Sequence, residues 1–129
     1  MIFAKDNYLR MSKTKIIESV KVSELKQTFN TKFPFLKIEF FKKKHKNLSG
    51  SAKKDLILDD FSIFFSQEDL ANLINEDVTV SEFEKQFNDK LKLSVQVFRK
   101  SGKSWLETTF TDGWTLKKQN QEGIDLSQI

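Results

Sequence analysis

The sequence predicts a single α+β domain over residues 1–129, in which a mainly antiparallel sheet carries helices packed on one face. Three observations predict this class: an internal repeat, an apolar stripe with helical spacing in each copy, and a stretch of alternating apolar and polar residues after each stripe. A helix that leads into a half-buried strand, and then occurs a second time, is typical of layered α+β domains. The nearest common template is a ferredoxin-like β-α-β duplication.

The internal repeat relates residues 20–43 to residues 78–100. This density of matches predicts two copies of one supersecondary unit, at about 15–43 and 78–111. Residues 1–12 are then a disordered extension, and residues 124–129 are a loose tail. The residues that recur identically at one offset are Val20, Val22, Ser23, Glu24, Phe29, Asn30 and Lys32, which return as Val78, Val80, Ser81, Glu82, Phe87, Asn88 and Lys90.

The first unit predicts a strand, a helix and a second strand. Residues 15–19 form the opening strand, and Ser23 is the predicted N-cap of the helix, because its hydroxyl can accept from a first-turn N–H group. The helix ends before Pro34, since the residue before proline is pushed out of helical dihedrals. "LKIEFF" then alternates with the period of a strand. The apolar stripe of the helix comprises Val22, Leu25, Phe29 and Phe33.

The segment between the two copies has no counterpart in the repeat. Residues 42–55 form a basic loop that contains glycine and serine. Residues 56–65, "LILDDFSIFF", are apolar and favour a strand. Residues 66–75 predict a short helix, because Ser66 and Asp69 occupy capping positions at its start.

The second unit repeats the plan and adds a hairpin. Ser81 and Glu84 are the predicted capping box of its helix, and "LSVQVF" is the strand that follows. Asp112-Gly113 marks a later turn, and Gly123 ends a last helical turn. The stripe of this helix comprises Val80, Phe83, Phe87 and Leu91.

The segment "SGKSW" sets the position of the hairpin turn and so the pairing of its two strands. Gly-Lys-Ser is also the end of a phosphate-binding P-loop, but the first glycine of such a loop is replaced by Val97, and the residues after Lys103 favour a strand over a helix. A two-residue turn centred on Ser101-Gly102 explains the same residues. That turn pairs Lys100 with Lys103, Phe98 with Trp105, Val97 with Leu106 and Gln96 with Glu107.

This register predicts two different faces for the hairpin. The core face carries Leu93, Val95, Val97, Leu106, Thr108 and Phe110. The face away from the helices carries Phe98 and Trp105 as a cross-strand pair, and the repeat places Phe41 on the same side. Because cations surround these rings, the predicted partner-binding residues are Phe41, Phe98, Arg99, Lys100, Lys103 and Trp105.

Three interpretations of the outward rings are open. Other rings of the chain can cover them, the candidates being Phe61, Phe64, Phe65 and Trp114. The rings can instead contact a protein partner or a second copy of the chain, because exposed aromatic patches usually mark contacts. Rings beside cations can also stack bases and bind phosphates, although the aromatic spacing of the RNP1 signature is missing.

The amino-acid composition limits the kinds of partner and the cellular compartment that are expected. Residues 1–54 carry a net charge of +10 and residues 55–129 a net charge of −6. Such asymmetry is a hint of contact with nucleic acid or an acidic partner, or else a lysine-rich solvated surface. The chain has no cysteine, which excludes disulfides and thiolate chemistry, and no apolar run of about 18 residues. A cytoplasmic protein without membrane contact is expected.

Catalytic, cofactor and metal sites have no candidate residues. The single histidine, His45, lies among lysines, with no carboxylate or thiol close to it in sequence. Asp59-Asp60 and Glu68-Asp69 are acidic pairs, but no metal-binding spacing accompanies them. The sequence therefore predicts a protein that is not an enzyme.

The segment "FRKSGKSWLETTFTDGWTLKKQNQEG", residues 98–123, resembles a group of small uncharacterised proteins of Bacteroidetes-type bacteria. Weaker similarity runs through "VSELKQTFNTKFPFLKIEFFKKKH" to "SGSAKKD". The resemblance implies a bacterial, non-secreted protein and brings no activity with it.

These observations favour a small cytosolic binding or scaffold protein that contacts a protein partner, or a second copy of itself, through the outward rings. The alternative is a single-stranded nucleic-acid-binding protein that uses the aromatic and basic residues. Neither hypothesis involves a cofactor.

Overall fold

The computed structural model describes residues 16–42, 56–91 and 93–128. His45, the predicted extension 1–12 and the basic loop beyond Lys42 lie outside these ranges. The elements in chain order are β1 (Ile17–Lys21), α1 (Val22–Lys32), β2 (Leu36–Lys42), β3 (Ser62–Ser66), α2 (Gln67–Leu73), α3 (Val80–Leu91), β4 (Leu93–Ser101), β5 (Ser104–Glu107), a 3₁₀ turn (Thr109–Thr111) and α4 (Leu116–Ser127).

The strands form two antiparallel sheets. β1 pairs with β3, while β2, β4 and β5 lie side by side in that order. The predicted α+β class is confirmed, although the sequence predicted one sheet. A main-chain hydrogen bond continues the β1–β3 pairing into the start of α1. There the Val22 N–H donates to the carbonyl of Phe61, the residue just before β3, at 2.8 Å. The ferredoxin-like template stays a prediction.

Three helices lie on one face of the three-stranded sheet. α1 packs on β2, while α3 and α4 pack on β4. The sheet residues beneath them are almost fully buried, and alternation along each strand sets them on one side. These residues are Leu36, Ile38, Phe40, Val95 and Val97.

Phenylalanine rings from both helix stripes meet in the core. The ring centroid of Phe29 in α1 lies 5.2 Å from that of Phe83 in α3, and Phe83 lies 4.9 Å from Phe87. Phe87 then contacts Phe40 of β2 and Phe65 of β3, each at 5.7 Å. Tilted and edge-on ring pairs contribute about 0.5–1.5 kcal/mol each beyond their burial. The predicted stripes therefore join the helices to both sheets.

Equivalent positions of the predicted repeat make equivalent main-chain contacts. Glu39 and Gln96, which occupy the same position in the two copies, pair with each other at the centre of the β2–β4 ladder. The duplication itself stays a prediction. Two pairs of hydrogen bonds recur: Val22 N–H to Phe61 (2.8 Å) with Val80 N–H to Trp114 (3.0 Å), and Ile57 N–H to Phe40 (2.9 Å) with Thr108 N–H to Val97 (3.3 Å), the carbonyl accepting in each case.

Both long helices of the repeat begin before their predicted caps. α1 starts at Val22 and α3 at Val80, so Ser23 and Ser81 lie in the first turns. In α3, Thr79 Oγ1 accepts from the Glu82 N–H, and the Glu82 carboxylate accepts from the Thr79 N–H. The predicted capping box of Ser81 and Glu84 is therefore wrong, because Thr79 and Glu82 form the same motif two residues earlier.

The C-terminal helix is longer than predicted. Gly123 lies buried within α4 rather than at its end, and residues 124–127, predicted as loose, are its last turn. A Cβ at this position would lie 2.8 Å from the Phe35 Cβ and 3.3 Å from the Arg99 Cγ. The glycine is therefore required for the close approach of α4 to the sheet, not for a cap.

Three local predictions are confirmed. α1 ends at Lys32, before Pro34. Ser66 Oγ accepts from the Asp69 N–H at 3.0 Å at the start of α2. The turn at Asp112-Gly113 forms, since Trp114 N–H donates to the Thr111 carbonyl at 3.0 Å.

Candidate partner-binding face

The β4–β5 hairpin fixes the position of the predicted rings. Its turn residues are Gly102 and Lys103, flanked by the Ser101–Ser104 pair. Gly102 has a φ of 63°, and hairpin turns of the favoured types need a positive φ at their first central position. A turn centred on Ser101-Gly102 would place a serine there at a steric cost. The glycine therefore occupies the position, and the turn moves by one residue.

The predicted pairs Lys100–Lys103, Phe98–Trp105, Val97–Leu106 and Gln96–Glu107 are wrong as a consequence. Phe98 lies opposite Glu107, and Trp105 lies opposite Lys100. β5 has moved by two residues along β4, and side chains alternate between faces with a period of two. Phe98 and Trp105 accordingly keep the same face, the one opposite the helices, as diagonal neighbours.

The core face of the hairpin ends earlier than predicted. Val95, Val97 and Thr108 are buried, whereas Leu106 is 44% exposed and Phe110 is fully exposed. The chain leaves β5 for the 3₁₀ turn, so strand alternation no longer applies at residue 110. The prediction of a core position was therefore wrong for Leu106 and Phe110.

Four side chains meet on the face opposite the helices and are called the aromatic cluster: Lys37, Phe98, Lys100 and Trp105. Lys37 Nζ lies 5.5 Å from the ring centroid of Phe98 and 5.1 Å from that of Trp105. Lys100 Nζ lies 5.5 Å from the Trp105 centroid. All four side chains are half-buried. An ammonium group within about 6 Å of a ring face is attracted by the ring quadrupole, by about 0.5–1 kcal/mol at exposed sites.

Lys37 was not predicted as a site residue. The alternation that placed Phe41 outward places Lys37 on the same face, four residues earlier along β2. The missing information was the pairing of β2 with β4, which sets Lys37 opposite Phe98. Pairing between distant strands is not encoded in the local pattern.

Glu39 lies beside the aromatic cluster and connects it to α1. Its Oε1 accepts from Lys26 Nζ at 2.8 Å, while its Oε2 lies 3.6 Å from Lys37 Nζ. Only the first distance is that of a hydrogen bond, so Glu39 neutralises mainly Lys26. In the part of the chain that the structure describes, no carboxylate forms an ion pair with Lys100.

The other three predicted partner-binding residues lie outside the aromatic cluster. Phe41 shares the face but lies four residues from Lys37 along β2, which is about 13 Å. Arg99 is on the opposite side, because it alternates with Phe98, and its Nη1 donates to Gln119 Oε1 at 2.7 Å. Lys103 is exposed in the hairpin turn.

The rings that could cover the aromatic cluster lie elsewhere. Phe61 packs on Phe40, and Phe65 packs on Phe87. Trp114 lies under Lys118 Nζ, 4.3 Å from its ring centroid. The fourth ring, Phe64, is 64% exposed on the two-stranded sheet. Each of the four candidates therefore belongs to another part of the molecule.

Two concave features contain no residue of the aromatic cluster. A pocket of about 310 Å³ lies between α3 and β4, and an open groove of about 770 Å³ lies between α1 and α2. In the pocket, Glu84 Oε2 accepts from the Val97 N–H at 3.0 Å and so closes the β4 edge beyond the end of β5. Within residues 16–42, 56–91 and 93–128, no three His, Asp or Glu side chains are grouped closely enough to hold a metal ion.

Comparison of the chain with protein-family models, with curated proteins and with solved structures found no match. Among the helices that the structure describes, none has the length and apolar character to cross a membrane. The aromatic cluster is therefore the feature on which a functional proposal rests.

Proposed function

We propose that the protein is a non-catalytic binding protein of the bacterial cytoplasm, which holds a protein partner or a second copy of itself on the sheet face that carries the aromatic cluster. The observation that supports this most is the meeting of Phe98 and Trp105 with two lysines on the face opposite the buried residues on which α1, α3 and α4 pack. Aromatic side chains are enriched at protein interfaces and among the residues that dominate binding energy.

Single-stranded nucleic acid is the second candidate, and one observation favours it: ammonium groups lie beside rings on which bases could stack. One observation weighs against it: Lys37 Nζ lies over both rings, in the space that a stacked base would need. A protein partner is the better supported ligand.

Replacing both rings tests the proposal. We expect the Phe98→Ser, Trp105→Ser double variant to stay folded, with its free energy of unfolding lowered by about 1–3 kcal/mol, because half-buried rings contribute less than core rings. We expect it to lose self-association, measured by light scattering, and to lose the proteins that the wild-type chain captures from lysate of its own cells, measured by mass spectrometry.

Phe64→Ser is the matched control, because it removes an exposed ring from the other sheet and should leave binding intact. Unfolding of the double variant would show that the rings belong to the core. Unchanged binding would show that the aromatic cluster serves the hairpin alone, as cross-strand pairs do.

A further inference from the structure

We infer that the ligand of the aromatic cluster is an extended acidic segment of a partner protein, whose carboxylates bind the ammonium groups of Lys37 and Lys100 beside Trp105. The inference rests on the proposed function and adds the chemistry of the partner.

The first argument is the balance of charge at the indole ring. Lys37 approaches Trp105 from β2 and Lys100 approaches it from β4, to 5.1 and 5.5 Å. The nearby carboxylate, Glu39, makes its short contact with Lys26 and lies 3.6 Å from Lys37. Glu107 lies on the same face, but within the described ranges it forms no ion pair with either lysine, so the 3.6 Å contact of Lys37 with Glu39 is the one ion pair that these two ammonium groups make. A carboxylate from a ligand could form charge-assisted hydrogen bonds that Glu39 does not supply.

The second argument is preorganisation. A free lysine side chain loses up to about 2 kcal/mol of rotamer entropy when it is fixed. The rings already restrain Lys37 and Lys100 through cation–π contacts. Part of the cost of ordering these side chains is thus met before the ligand arrives, and such preorganisation increases affinity.

The third argument is the edge of the sheet. β5 is the last strand of its sheet in the described ranges. Because Thr108 N–H donates to the Val97 carbonyl, the main-chain groups of Leu106 and Ser104 also face β4, and those of Trp105 and Glu107 face outward. An extended peptide can pair with such an edge. Its alternate side chains would then lie on the same face as Trp105.

These arguments together favour a peptide over another anion. Phosphates of a nucleic acid could also meet the two ammonium groups, but a nucleic acid cannot continue the main-chain ladder at the β5 edge. An acidic segment with a carboxylate at every second residue satisfies the edge and the lysines at once.

The test uses the full-length chain and a fluorescein-labelled ten-residue peptide that alternates glutamate with threonine. A matched peptide has glutamine in place of glutamate. Fluorescence anisotropy should show binding of the glutamate peptide at least about tenfold tighter than that of the glutamine peptide. Lys37→Gln and Lys100→Gln should each weaken it about threefold to fivefold. Lys85→Gln, the control, removes one exposed positive charge from α3 and should change nothing.

The outcomes separate this inference from the proposed function. Equal binding of the two peptides, or binding unaffected by both cluster variants, overturns the acidic segment. Absence of peptide binding, with lysate proteins still captured only when Trp105 and Phe98 are present, overturns the acidic segment and leaves the proposed function standing. Tighter, Lys37-dependent binding of a ten-nucleotide thymidine oligomer also overturns it, in favour of nucleic acid.

Discussion

The carboxylate of Asp60 fixes the start of α1 from a position 37 residues away along the chain. It accepts from the Ser23 N–H at 3.0 Å and from the Ser23 hydroxyl at 2.8 Å. The main-chain bond first, and the hydroxyl bond second, lower the pKa of Asp60 below its ordinary value of 3.8, and nearby Lys21 and Lys26 contribute less. Since the pKa is lower in the folded chain, the stabilisation is complete above about pH 5 and is lost as the pH falls through the folded value.

Asp60→Asn should therefore lower the free energy of unfolding at neutral pH, and its difference from wild type should shrink as the pH falls below 3.8. Urea unfolding followed by tryptophan fluorescence at several pH values measures this difference. Ser23→Ala is the matched control: it removes only the hydroxyl donor, so most of the pH dependence should persist. A difference that is constant with pH would show that the charge of Asp60 does not stabilise α1.

The partners of Ser23 mark a limit of sequence reasoning at the scale of residues. A serine before an apolar stripe predicts an N-cap, and the residue type was indeed suited to the helix start. Ser23 instead donates to Asp60, because the segment before β3 lies against the start of α1. Such a contact depends on tertiary structure, and a local pattern cannot reveal it.

At the scale of elements, Gly123 allows α4 to seat on the sheet. An alanine Cβ would approach the Phe35 Cβ to 2.8 Å and the Phe35 carbonyl oxygen to 3.2 Å. These atoms cannot rotate away, so α4 must shift. We expect Gly123→Ala to lower the free energy of unfolding by about 1–2 kcal/mol, the cost of overpacking less the gain in helix propensity. Chemical denaturation measures the change.

Gly113→Ala provides the matched control for this helix seat. No atom lies within 4 Å of a Cβ built at Gly113, so its effect should stay within about 0.5 kcal/mol. A Gly123→Ala variant more stable than wild type would mean that α4 shifts at no cost and that its position is not set by the glycine.

Elements differ in how far their sequences define them. The stripes of α1 and α3 predicted both helices and the buried faces, because the helical period is set by local geometry. The predicted hairpin turn lies one residue too early, because it places the glycine second in the turn, whereas the first central residue needs the positive φ. The predicted faces of Phe98 and Trp105 are nevertheless correct, because the two registers differ by two residues and side chains alternate between faces with a period of two. The inclusion of Lys37 required the β2–β4 pairing, which only the folded chain provides.

Across the whole molecule, most of the charge asymmetry comes from residues outside the described ranges. Of the fourteen Lys and Arg residues in positions 1–54, nine lie outside the described ranges. The described residues of this half contain the other five, together with three glutamates. The described part of that half therefore carries a net +2, against +10 for the half as a whole. A polyanion could therefore bind the positive charges of residues 1–54 without contacting Phe98 or Trp105.

Binding to single-stranded DNA separates the basic half from the aromatic face. We expect any retention of a twenty-nucleotide thymidine oligomer in low salt to weaken steeply with added salt, because phosphate contacts release counterions. We also expect it to be the same for wild type and for Trp105→Ser, since this substitution leaves the positive charge of residues 1–54 unchanged. Electrophoretic mobility shift at two salt concentrations checks both expectations. If Trp105→Ser alone abolished binding of the thymidine oligomer, bases would stack on this ring. The nucleic-acid alternative would then be favoured over a protein partner.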